Sequence, residues 1–325
     1  MTLRRIQPED SRLVEDLIRD NPFKEDQIQF QRLDRDLLVR FHSNRILSRS
    51  AHEERPVFVF EAGGKRALVG VSEPSHHSSL FGKRIFSLDP VITYTLRGDE
   101  KRQALKEVGR VVEERGGEIV WASGDEAEEG LVESYAGLGW CYSGTTVRMS
   151  RWTAGSLLPE KETGIEIREA ERGDLAEIQE MAGTSHRHSR FFRDPNLPAA
   201  RKGAVFPDYV RRCFGSSLRP LLVAVDHSGK AMGFSLLLLP EGQEKDLGRR
   251  IGIIDFIVVK TVAQRKGVGG GLLRESFRLI EKGGYEVVEL KTMLDNRQAI
   301  GFYQRHGFRI LSSEMHFSMG ERGAQ

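Results

Sequence analysis

The sequence predicts an α/β (α+β) protein made of two similar units in tandem. Apolar runs of strand length alternate with amphipathic helical segments, and one order of these elements occurs twice. At 325 residues, the chain has the length of two ordinary domains. The stretch 151–164, RWTAGSLLPEKETG, combines turn-forming residues with little periodicity, and we interpret it as a linker. We therefore expect one domain at 1–150 and another at 165–325.

The second half opens with a short strand and a helix whose apolar residues Leu175, Ile178 and Met181 have helical spacing. The stretch LLVAVDHSGKAMGFSLLLLP predicts a hairpin that turns at Ser228-Gly229. IGIIDFIVVK is a strand rich in β-branched residues. The helix after the next glycines has an apolar stripe of Leu273, Phe277 and Ile280, with Leu272 and Leu279 beside it. YEVVELKT predicts a strand, DNRQAIGFYQRH a helix and RILSSEMHFSMG a closing strand.

The first half repeats this order. LRRIQPEDSRLVEDLI predicts strand then helix, VFVFEAGGKRALVGVS a hairpin with Gly63-Gly64 in its turn, and KRQALKEVGRVVEERGG a helix before the strand EIVWAS. The clearest internal match pairs residues 114–140 with residues 281–308. Both stretches run Gly-Gly, strand, turn and helix, and both end in Tyr-x-x-x-Gly-aromatic. The repeat indicates a duplicated α/β unit rather than a solenoid.

Composition excludes several classes of protein. The net charge is +2 and no long basic block occurs, which argues against a nucleic-acid binder. Cys141 and Cys213 lie far apart and lack metal-ligand spacing, so we expect neither a disulfide framework nor a metal site. The start of the chain lacks the apolar core of a signal peptide, and the longest apolar run is too short to span a bilayer. We therefore expect a cytoplasmic protein without a membrane span.

The turn between the strand IGIIDFIVVK and the following helix carries the sequence QRKGVG, residues 264–269. Glycines allow backbone N–H groups to approach an oxygen-rich ligand, and the helix N-terminus favours a phosphate. A P-loop is excluded because Gly-x-x-x-x-Gly-Lys-Ser/Thr does not occur, and a dinucleotide fingerprint fails at Leu272. The alternative is a glycine-rich turn with solvated basic residues.

The order and spacing of these elements resemble the acyl-CoA N-acyltransferase (GNAT) superfamily, whose pyrophosphate loop is Arg/Gln-x-x-Gly-x-Gly/Ala. Gln264, Gly267 and Gly269 match that loop. The resemblance implies a mixed, mostly antiparallel sheet that splays where the cofactor arm of acetyl-CoA enters. The cofactor-binding residues that it implies are Ile257, Val258, Val259, Gln264, Arg265, Lys266, Gly267, Val268, Gly269 and Asn296.

NRQAIGFYQRHGF also resembles the superfamily, in its pattern Asn-x-x-Ala-x-x-x-Tyr followed by Gly-Phe. Asn296 and Tyr303 lie seven residues apart and share a helix face. By resemblance, Asn296 contacts the cofactor arm and Tyr303 stands near the thioester sulfur. A phenol there can act as a general acid for the departing thiolate, whose thiol has a pKa of roughly 8.5. A half-buried packing tyrosine is the alternative.

The stretch 184–217 follows the first helix of the second half and, by resemblance, lines the acceptor site. Ser189-Arg190-Phe191, Asp194-Pro195 and the helix FPDYVRRCF resemble the TDP-fucosamine acetyltransferase type, which acylates a nucleotide-linked amino sugar. Arg187 or Arg190 can pair with a diphosphate, and Phe191 or Phe192 can stack on a base or a sugar. An ordinary loop with snorkelling arginines remains open.

The general base stays open. Many protein-modifying relatives have a Glu where this chain has Ile253. Asp255 shares its side of the strand, His186 and His188 have suitable unperturbed pKa values near 6.5, and a water relay is equally compatible.

In the first half, Asp99 and Glu100 occupy the region where a pyrophosphate would bind, and Glu128 lies about where the Asn belongs. We interpret residues 1–150 as a degenerate copy that does not bind CoA; a second ligand site is the alternative.

The sequence thus predicts an acetyl-CoA-dependent N-acetyltransferase whose acceptor is a primary amine, with an amino sugar nucleotide as the first candidate. A protein or peptide N-acetyltransferase and a CoA-binding sensor or scaffold without catalysis are the alternatives. A tandem enzyme resembling mycothiol synthase also fits the architecture.

Overall fold

The computed structural model describes residues 2–155, 164–185 and 187–320, which form two compact units. Unit 1 contains residues 1–146, 193–199 and 312–325, and unit 2 contains residues 147–192 and 200–311. Each unit therefore takes in chain segments from beyond the expected boundary. The segment expected as a linker, 151–164, begins inside a strand that ends at Trp152, and its residues 156–163 lie outside the described part of the chain.

The described residues contain strands numbered here in chain order: β1 Thr2–Arg5, β2 Val57–Ala62, β3 Lys65–Ser72, β4 Ile85–Ile92, β5 Ile119–Asp125, β6 Cys141–Trp152, β7 Glu166–Glu169, β8 Leu221–Val225, β9 Ala231–Leu238, β10 Ile251–Val259, β11 Val287–Met293 and β12 Arg309–Gly320. The strands and hairpins predicted from the sequence are all present. Gly63 and Gly64 connect β2 to β3 with φ angles of 55° and 82°, as a tight two-residue hairpin requires.

The helices are α1 Ser11–Arg19, α2 Glu25–Gln31, α3 Arg35–Ser50, α4 Ser75–Phe81, α5 Gly98–Glu114, α6 Leu131–Gly137, α7 Leu175–Ser185, α8 Arg190–Arg193, α9 Ala199–Lys202, α10 Val205–Cys213, α11 Gln243–Leu247, α12 Val268–Lys282 and α13 Arg297–Arg305. Within the described ranges, none of these helices has both the length and the hydropathy that crossing a bilayer requires.

Both units build their sheets in one strand order. In unit 1, β1 to β5 follow one another across the sheet, antiparallel up to β4, and β4 pairs with β5 in parallel. In unit 2, β7 to β11 repeat this order, with β10 and β11 as the parallel pair. The last strand is exchanged, because β5 pairs with β12 from the end of the chain while β6 lies beside β11. The mixed, mostly antiparallel sheet expected from the sequence is confirmed.

An identical ion pair joins the first strand to the turn that follows it in each unit. Arg4 donates two hydrogen bonds of 2.8 Å to Asp10, and Arg168 donates to Asp174 at 2.7 and 3.0 Å. Both pairs span six residues, and in both the carboxylate also accepts the backbone amide three residues before it. The repeated geometry supports the duplication predicted from the sequence.

The repeated pattern Tyr-x-x-x-Gly-aromatic is a helix terminus. Gly139 after α6 and Gly307 after α13 adopt φ angles of 79° and 83°, which favour glycine. The amide of Trp140 then donates to the Tyr135 carbonyl at 3.0 Å, as the Phe308 amide does to the Tyr303 carbonyl at 3.1 Å. The pattern therefore ends a helix and folds the aromatic ring back onto the tyrosine.

The core of unit 2 lies mainly between the sheet and α12. The apolar side of α12 predicted from the sequence lies in this core. Its members Leu272, Leu273, Phe277 and Ile280 are buried, and Leu279 packs against them. In unit 1, α5 and α6 pack with Val69 and Val71 of β3 in one cluster, and α1 and α3 pack with Leu68 of the same strand in another. These cores fix the strand ends from which the candidate site is built.

The Arg4–Asp10 ion pair makes the stability of the fold depend on pH in the acid range. Hydrogen bonding to Arg4 lowers the pKa of Asp10 to about 2, whereas an unfolded chain has about 3.9. The pair therefore stabilises the fold above about pH 4 and loses that contribution as the pH falls toward about 2. We expect Asp10→Asn to lower the free energy of unfolding at neutral pH by about 1 kcal/mol and to flatten its dependence on pH in acid.

Urea unfolding followed by circular dichroism at several pH values measures both effects. Asp26→Asn, which changes an exposed carboxylate, is the matched control. An equal acid dependence in the two variants would contradict the prediction.

Candidate active site

The candidate site begins at an irregularity in β10. The pairing of β10 with β9 shifts register between Ile254 and Phe256, so Asp255 is an extra, bulged residue. The parallel register of β10 with β11 ends at Ile254, although β11 continues to Met293. After the bulge, within the described structure, β10 keeps a partner strand on its β9 side and has no register on its β11 side. This divergence agrees with the splayed sheet expected from the sequence.

The bulge also changes which side chains of β10 face α12. Gly252 and Ile254 face α12 before the bulge, and Ile257 and Val259 face it afterwards. Asp255 contacts α10 on the opposite face of the sheet. The extra residue therefore keeps apolar side chains of β10 on the α12 face before and after the bulge, and it places Asp255 on the opposite face.

The turn between β10 and α12 presents a row of backbone donors. Across the described residues, the amides from Arg265 to Gly270 donate to no hydrogen-bond acceptor, and the Gly271 amide begins the helix by donating to Gly267 at 2.9 Å. Arg265 and Gly267 have positive φ angles of 61° and 89°, a left-handed backbone of the kind that occurs in anion-binding turns. Such a row at a helix N-terminus is suited to an anionic group.

Two residues of the turn carry positive charge, and another ties the turn to the strand. The side chains of Arg265 and Lys266 are exposed, so their attraction for an anion is screened by salt more than that of the amides. The Gln264 side-chain amide lies 3.4 Å from the Val259 carbonyl and donates to it. Gln264 therefore supports the geometry of the loop as well as being a candidate ligand.

Helix α13 packs against this turn. A Cβ added to Gly269 would lie 3.6 Å from the Val259 side chain and 3.7 Å from the Phe302 ring. The structure thus brings the end of β10, the start of α12 and the helix with Tyr303 together, as the motifs predict.

Asn296 has a structural role in addition to the predicted one. Its side-chain oxygen accepts the Ala299 amide at 3.2 Å, which caps the N-terminus of α13. The cap uses the oxygen and leaves the Nδ2 donors without a hydrogen bond to the described residues. Contact with a cofactor arm stays a prediction, and only those donors are available for it.

Tyr303 is 8% exposed and lies between Phe302 and Phe308, with ring centroids 5.2 and 5.5 Å away. Burial raises the pKa of its phenol above the usual value near 10. The hydroxyl forms no hydrogen bond to another residue in the described part of the chain. A protonated phenol with an unengaged hydroxyl is suited to donate a proton, which is the role predicted for it.

On the opposite face, Asp255 belongs to a polar cluster. The Tyr209 hydroxyl donates to the Asp255 carboxylate at 2.8 Å and Arg219 lies 3.1 Å from the same oxygen, while Arg219 also donates to Tyr209. Burial raises the pKa of Asp255, and the hydrogen bond from Tyr209 and the charge of Arg219 oppose that rise. Sequence reasoning did not identify Tyr209 and Arg219 because only tertiary contact links them to Asp255.

Aromatic contacts connect this cluster to the predicted acceptor segment. Phe191 lies 6.0 Å from Phe206, and Phe206 lies 5.5 Å from Phe256, measured between ring centroids. The Arg190 guanidinium lies 4.7 Å above the Phe191 ring. Phe191 and Asp255 therefore lie on one face of the sheet, as their common assignment to the acceptor side requires.

The remaining candidates for acceptor binding and base catalysis are more peripheral. Arg187 is exposed. His188 is exposed and its Nδ1 lies 3.4 Å from the Asp295 carboxylate. His186 lies outside the described residues. The roles of these side chains stay predictions.

Unit 1 has different chemistry at the equivalent positions. Asp99 and Glu100 occupy the first turn of α5, and Lys65 with the Arg97 amide lowers the pKa of Glu100. The buried Lys101 ammonium and Glu128 carboxylate form an ion pair of 2.5 Å, which the Thr93 hydroxyl joins at 2.5 Å. Acidic and mutually paired groups thus stand where unit 2 has free amides and Asn296.

Comparison with known proteins finds a family match within the C-terminal half. Residues 186–308 match the model of the Acetyltransferase (GNAT) family. The spore coat polysaccharide biosynthesis protein SpsD of Bacillus subtilis (strain 168) is 28% identical over 152 residues, or 47% of this chain. The aligned segment spans only 50% of that relative's length.

Two solved structures have the same fold. A GCN5-related N-acetyltransferase from Sphaerobacter thermophilus superposes with a TM-score of 0.65 at 18% identity, covering 100% of this chain and 96% of its own. A tandem GNAT protein from the clavulanic acid biosynthesis pathway gives a TM-score of 0.56 at 12% identity, covering 100% and 99%. The tandem GNAT fold predicted from the sequence is confirmed.

The cap at Asn296 yields a test of its structural role. Asn296→Ala removes the acceptor for the Ala299 amide, so we expect the free energy of unfolding to fall by about 1 kcal/mol. Asn296→Asp keeps an oxygen acceptor at a helix N-terminus and should retain the stability of the wild type. Thermal unfolding of the three proteins provides the measurement, and equal losses in both variants would argue against the cap.

Proposed function

We propose that the protein transfers an acetyl group from acetyl-CoA to a primary amine, because residues 186–308 match the model of the Acetyltransferase (GNAT) family. The observation that carries the proposal is the row of amides from Arg265 to Gly270, which have no acceptor in the described structure. A diphosphate supplies the oxygens that such a row would bind. Because the donors are backbone groups, their direction is fixed before any ligand arrives.

The neighbouring backbone would hold the rest of acetyl-CoA. The divergence of β10 from β11 leaves the segment from Ile257 to Val259 available to pair with the pantetheine arm. The Nδ2 of Asn296 would reach the same arm from α13. The diphosphate would bind at 265–270, with Lys266 adding an exposed positive charge. In this proposal the loop at 265–270 binds the diphosphate, and the end of β10 orients the thioester.

The reaction needs a proton donor for the departing sulfur and an acceptor for the proton that the amine loses. The amine nitrogen bonds to the thioester carbonyl carbon, the carbon–sulfur bond breaks, the nitrogen loses one proton and the thiolate gains one. Backbone N–H groups near Val259 would stabilise the oxyanion. Tyr303 would protonate the thiolate, because a phenol is protonated at neutral pH and its hydroxyl makes no hydrogen bond to the described residues.

Asp255 is the candidate base that its surroundings favour. It lies on β10, two residues before the segment assigned to the thioester, and burial raises its pKa. Arg219 and Tyr209 hold the carboxylate in one orientation. In this proposal Asp255 binds the amine and accepts its proton, directly or through water.

An amino sugar nucleotide is the proposed acceptor. The name of the Bacillus subtilis relative, a polysaccharide biosynthesis protein, supports a carbohydrate substrate. Arg190 with Phe191 joins a cation to an aromatic face at 4.7 Å, a combination suited to a phosphate next to a base or sugar.

Unit 1 is proposed to bind no CoA. The buried pair of Lys101 and Glu128 and the acidic first turn of α5 support this, since acidic side chains repel a diphosphate.

Tyr303→Phe separates catalysis from binding. Loss of the acid should lower kcat by about 10²-fold, while the affinity for acetyl-CoA stays close to that of the wild type. Steady-state kinetics gives kcat and isothermal calorimetry gives the Kd. Tyr135→Phe, the same change at the equivalent position of unit 1, is the control and should leave both values unchanged. A Tyr303→Phe protein with full kcat would remove Tyr303 from the mechanism, and a wild type that binds acetyl-CoA without turnover would indicate a sensor.

A panel of amines tests the acceptor. Release of free thiol from acetyl-CoA is measured with TDP- and UDP-linked amino sugars, free glucosamine and peptides with free N-termini, each against a reaction without amine. We expect turnover with the nucleotide-linked amino sugars. Turnover of peptides but not sugars would overturn the proposed substrate class.

A further inference from the structure

A small cavity lies at one end of the sheet of unit 2, and no step of the proposed reaction uses it. It has a volume of about 290 Å³ and is lined by Glu169 at the end of β7, by the loop 214–219 that includes Arg219, and by Leu221. We name it the Arg219 cavity. All of these residues belong to unit 2. Pockets for drug-sized ligands start at about 300 Å³, so this cavity suits a small molecule rather than a nucleotide-linked sugar.

The Arg219 cavity lies away from the glycine-rich turn before α12. The register of β8, β9 and β10 places Leu221, at the cavity, level with Phe256 of β10. Ala224, three residues further along β8, lies level with Val259, where β10 ends. Three residues of strand span about 10 Å. The cavity is therefore separate from the proposed CoA site, although it adjoins the bulge that carries Asp255.

Arg219 connects the cavity to the polar cluster around Asp255. Both hydrogen bonds that Arg219 donates use Nη1, one to the Tyr209 hydroxyl and another of 3.1 Å to the Asp255 carboxylate. The Cys213 thiol is a further polar neighbour, but it is a weak acceptor. Among the described residues, no oxygen accepts a hydrogen bond from Nε or Nη2. That edge of a guanidinium forms parallel hydrogen bonds with an oxyanion, so Arg219 can bind a carboxylate in the cavity.

The loop 214–219 adds uncharged donors beside Arg219. In the part of the chain that the structure describes, the backbone amides of Gly215 and Ser217 donate to no acceptor. The hydroxyls of Ser216 and Ser217 line the cavity and make no hydrogen bond within the same ranges. Hydroxyl and amide donors next to a guanidinium are suited to a carboxylate, which accepts several hydrogen bonds at once.

Glu169 brings the opposite charge to the same cavity. Its side chain is exposed and forms no ion pair with the residues that the structure describes. A carboxylate only accepts hydrogen bonds, so Glu169 would bind an ammonium group and would repel a simple anion. Phe214 and Leu221 supply apolar surface between the polar groups. One carboxylate and one guanidinium around a small volume match the charges of a free amino acid.

We propose that the Arg219 cavity binds a free amino acid, with the carboxylate on Arg219 and the serine hydroxyls and the ammonium group on Glu169. Because Arg219 also donates to Asp255, the bound amino acid and the candidate base share one guanidinium. Binding at the cavity requires neither acetyl-CoA nor catalysis. The inference therefore goes beyond the proposed function and can be tested separately from it.

The full chain is first screened with the common L-amino acids by thermal unfolding, because a ligand that binds only the folded state raises the Tm. We expect at least one amino acid to raise it. Isothermal calorimetry then compares that amino acid with the amine that lacks its carboxylate and the acid that lacks its ammonium group. Both analogues should bind at least about tenfold more weakly. A screen in which no amino acid raises the Tm, or an analogue that binds equally well, overturns the inference.

Glu169→Gln tests the ammonium partner, with Glu166→Gln as the matched control. Both residues are exposed carboxylates of β7, and only Glu169 lines the cavity. Glu169→Gln should raise the Kd for the amino acid by about threefold, since an exposed ion pair contributes little. Glu166→Gln should leave the Kd unchanged, and equal changes in the two variants would contradict the assignment of Glu169.

Arg219→Gln tests the carboxylate partner, with Arg249→Gln as its control. The two arginine side chains are 29% and 30% exposed and each forms an ion pair within unit 2, but Arg249 does not line the cavity. Arg219→Gln should raise the Kd by about tenfold, the effect of lost hydrogen bonds to a charged group. An unchanged Kd overturns the inference. If Arg219→Gln fails to fold, the comparison of the Glu169 and Glu166 variants decides it.

The outcomes separate this inference from the proposed function. A wild type that acetylates a nucleotide-linked amino sugar but binds no amino acid overturns the inference alone. A wild type that binds an amino acid but transfers acetyl to no amine overturns the proposed function and supports the inference. Release of thiol from acetyl-CoA with the bound amino acid as the only amine would overturn the amino sugar as acceptor and would support the assignment of the cavity.

Discussion

The extra residue at Asp255 determines the geometry from which the candidate site follows. Two parallel strands that stayed in register would satisfy each other's backbone groups and leave nothing for a ligand. The bulge ends the parallel register at Ile254 and frees the end of β10. It also sends Asp255 to the face opposite α12. The apolar contacts of α12 on both sides of the bulge hold this irregular strand in place.

The two units share one fold and carry different chemical groups at equivalent positions. Both have the same strand order, the same Arg–Asp pair after the first strand and the same helix terminus. They differ in the turn before the long helix, which offers unpaired amides in unit 2 and an acidic first turn in unit 1. Lys101 and Glu128 neutralise each other inside unit 1, and removing either partner would leave a costly buried charge. In unit 1, this ion pair is therefore part of the buried core and is not available to bind a ligand.

Local patterns made most of the fold predictable. The hairpin at Gly63-Gly64 and the stripe of α12 depend on neighbours within a few residues, which a sequence displays directly. Helix α3 was not predicted, because its buried face includes Ser43 and Ser50 and its apolar stripe is weak. The motifs also indicated the turn at 264–269 and the helix with Tyr303, since both depend on spacing along the chain.

Contacts between distant residues could not be predicted in this way. Tyr209 and Arg219 reach Asp255 from 46 and 36 residues away, and nothing in their own neighbourhood marks them. Asp194 resembled part of an acceptor site in sequence, whereas its carboxylate is buried against Trp121 and Ser318. The sequence also does not show that β12 pairs with β5 while β6 lies beside β11, because a strand has the same local pattern whichever strand it pairs with.

The tyrosine shared by both halves shows why a motif alone does not define a catalytic residue. Tyr135 and Tyr303 end their helices in the same way, and each ring packs on the aromatic residue that follows the glycine. That packing explains the repeat without any chemistry. Tyr135 additionally stacks on Phe317 with 4.4 Å between ring centroids and is fully buried. Only Tyr303 lies on a helix that packs against a turn of free amides, so its surroundings, rather than its pattern, favour it as an acid.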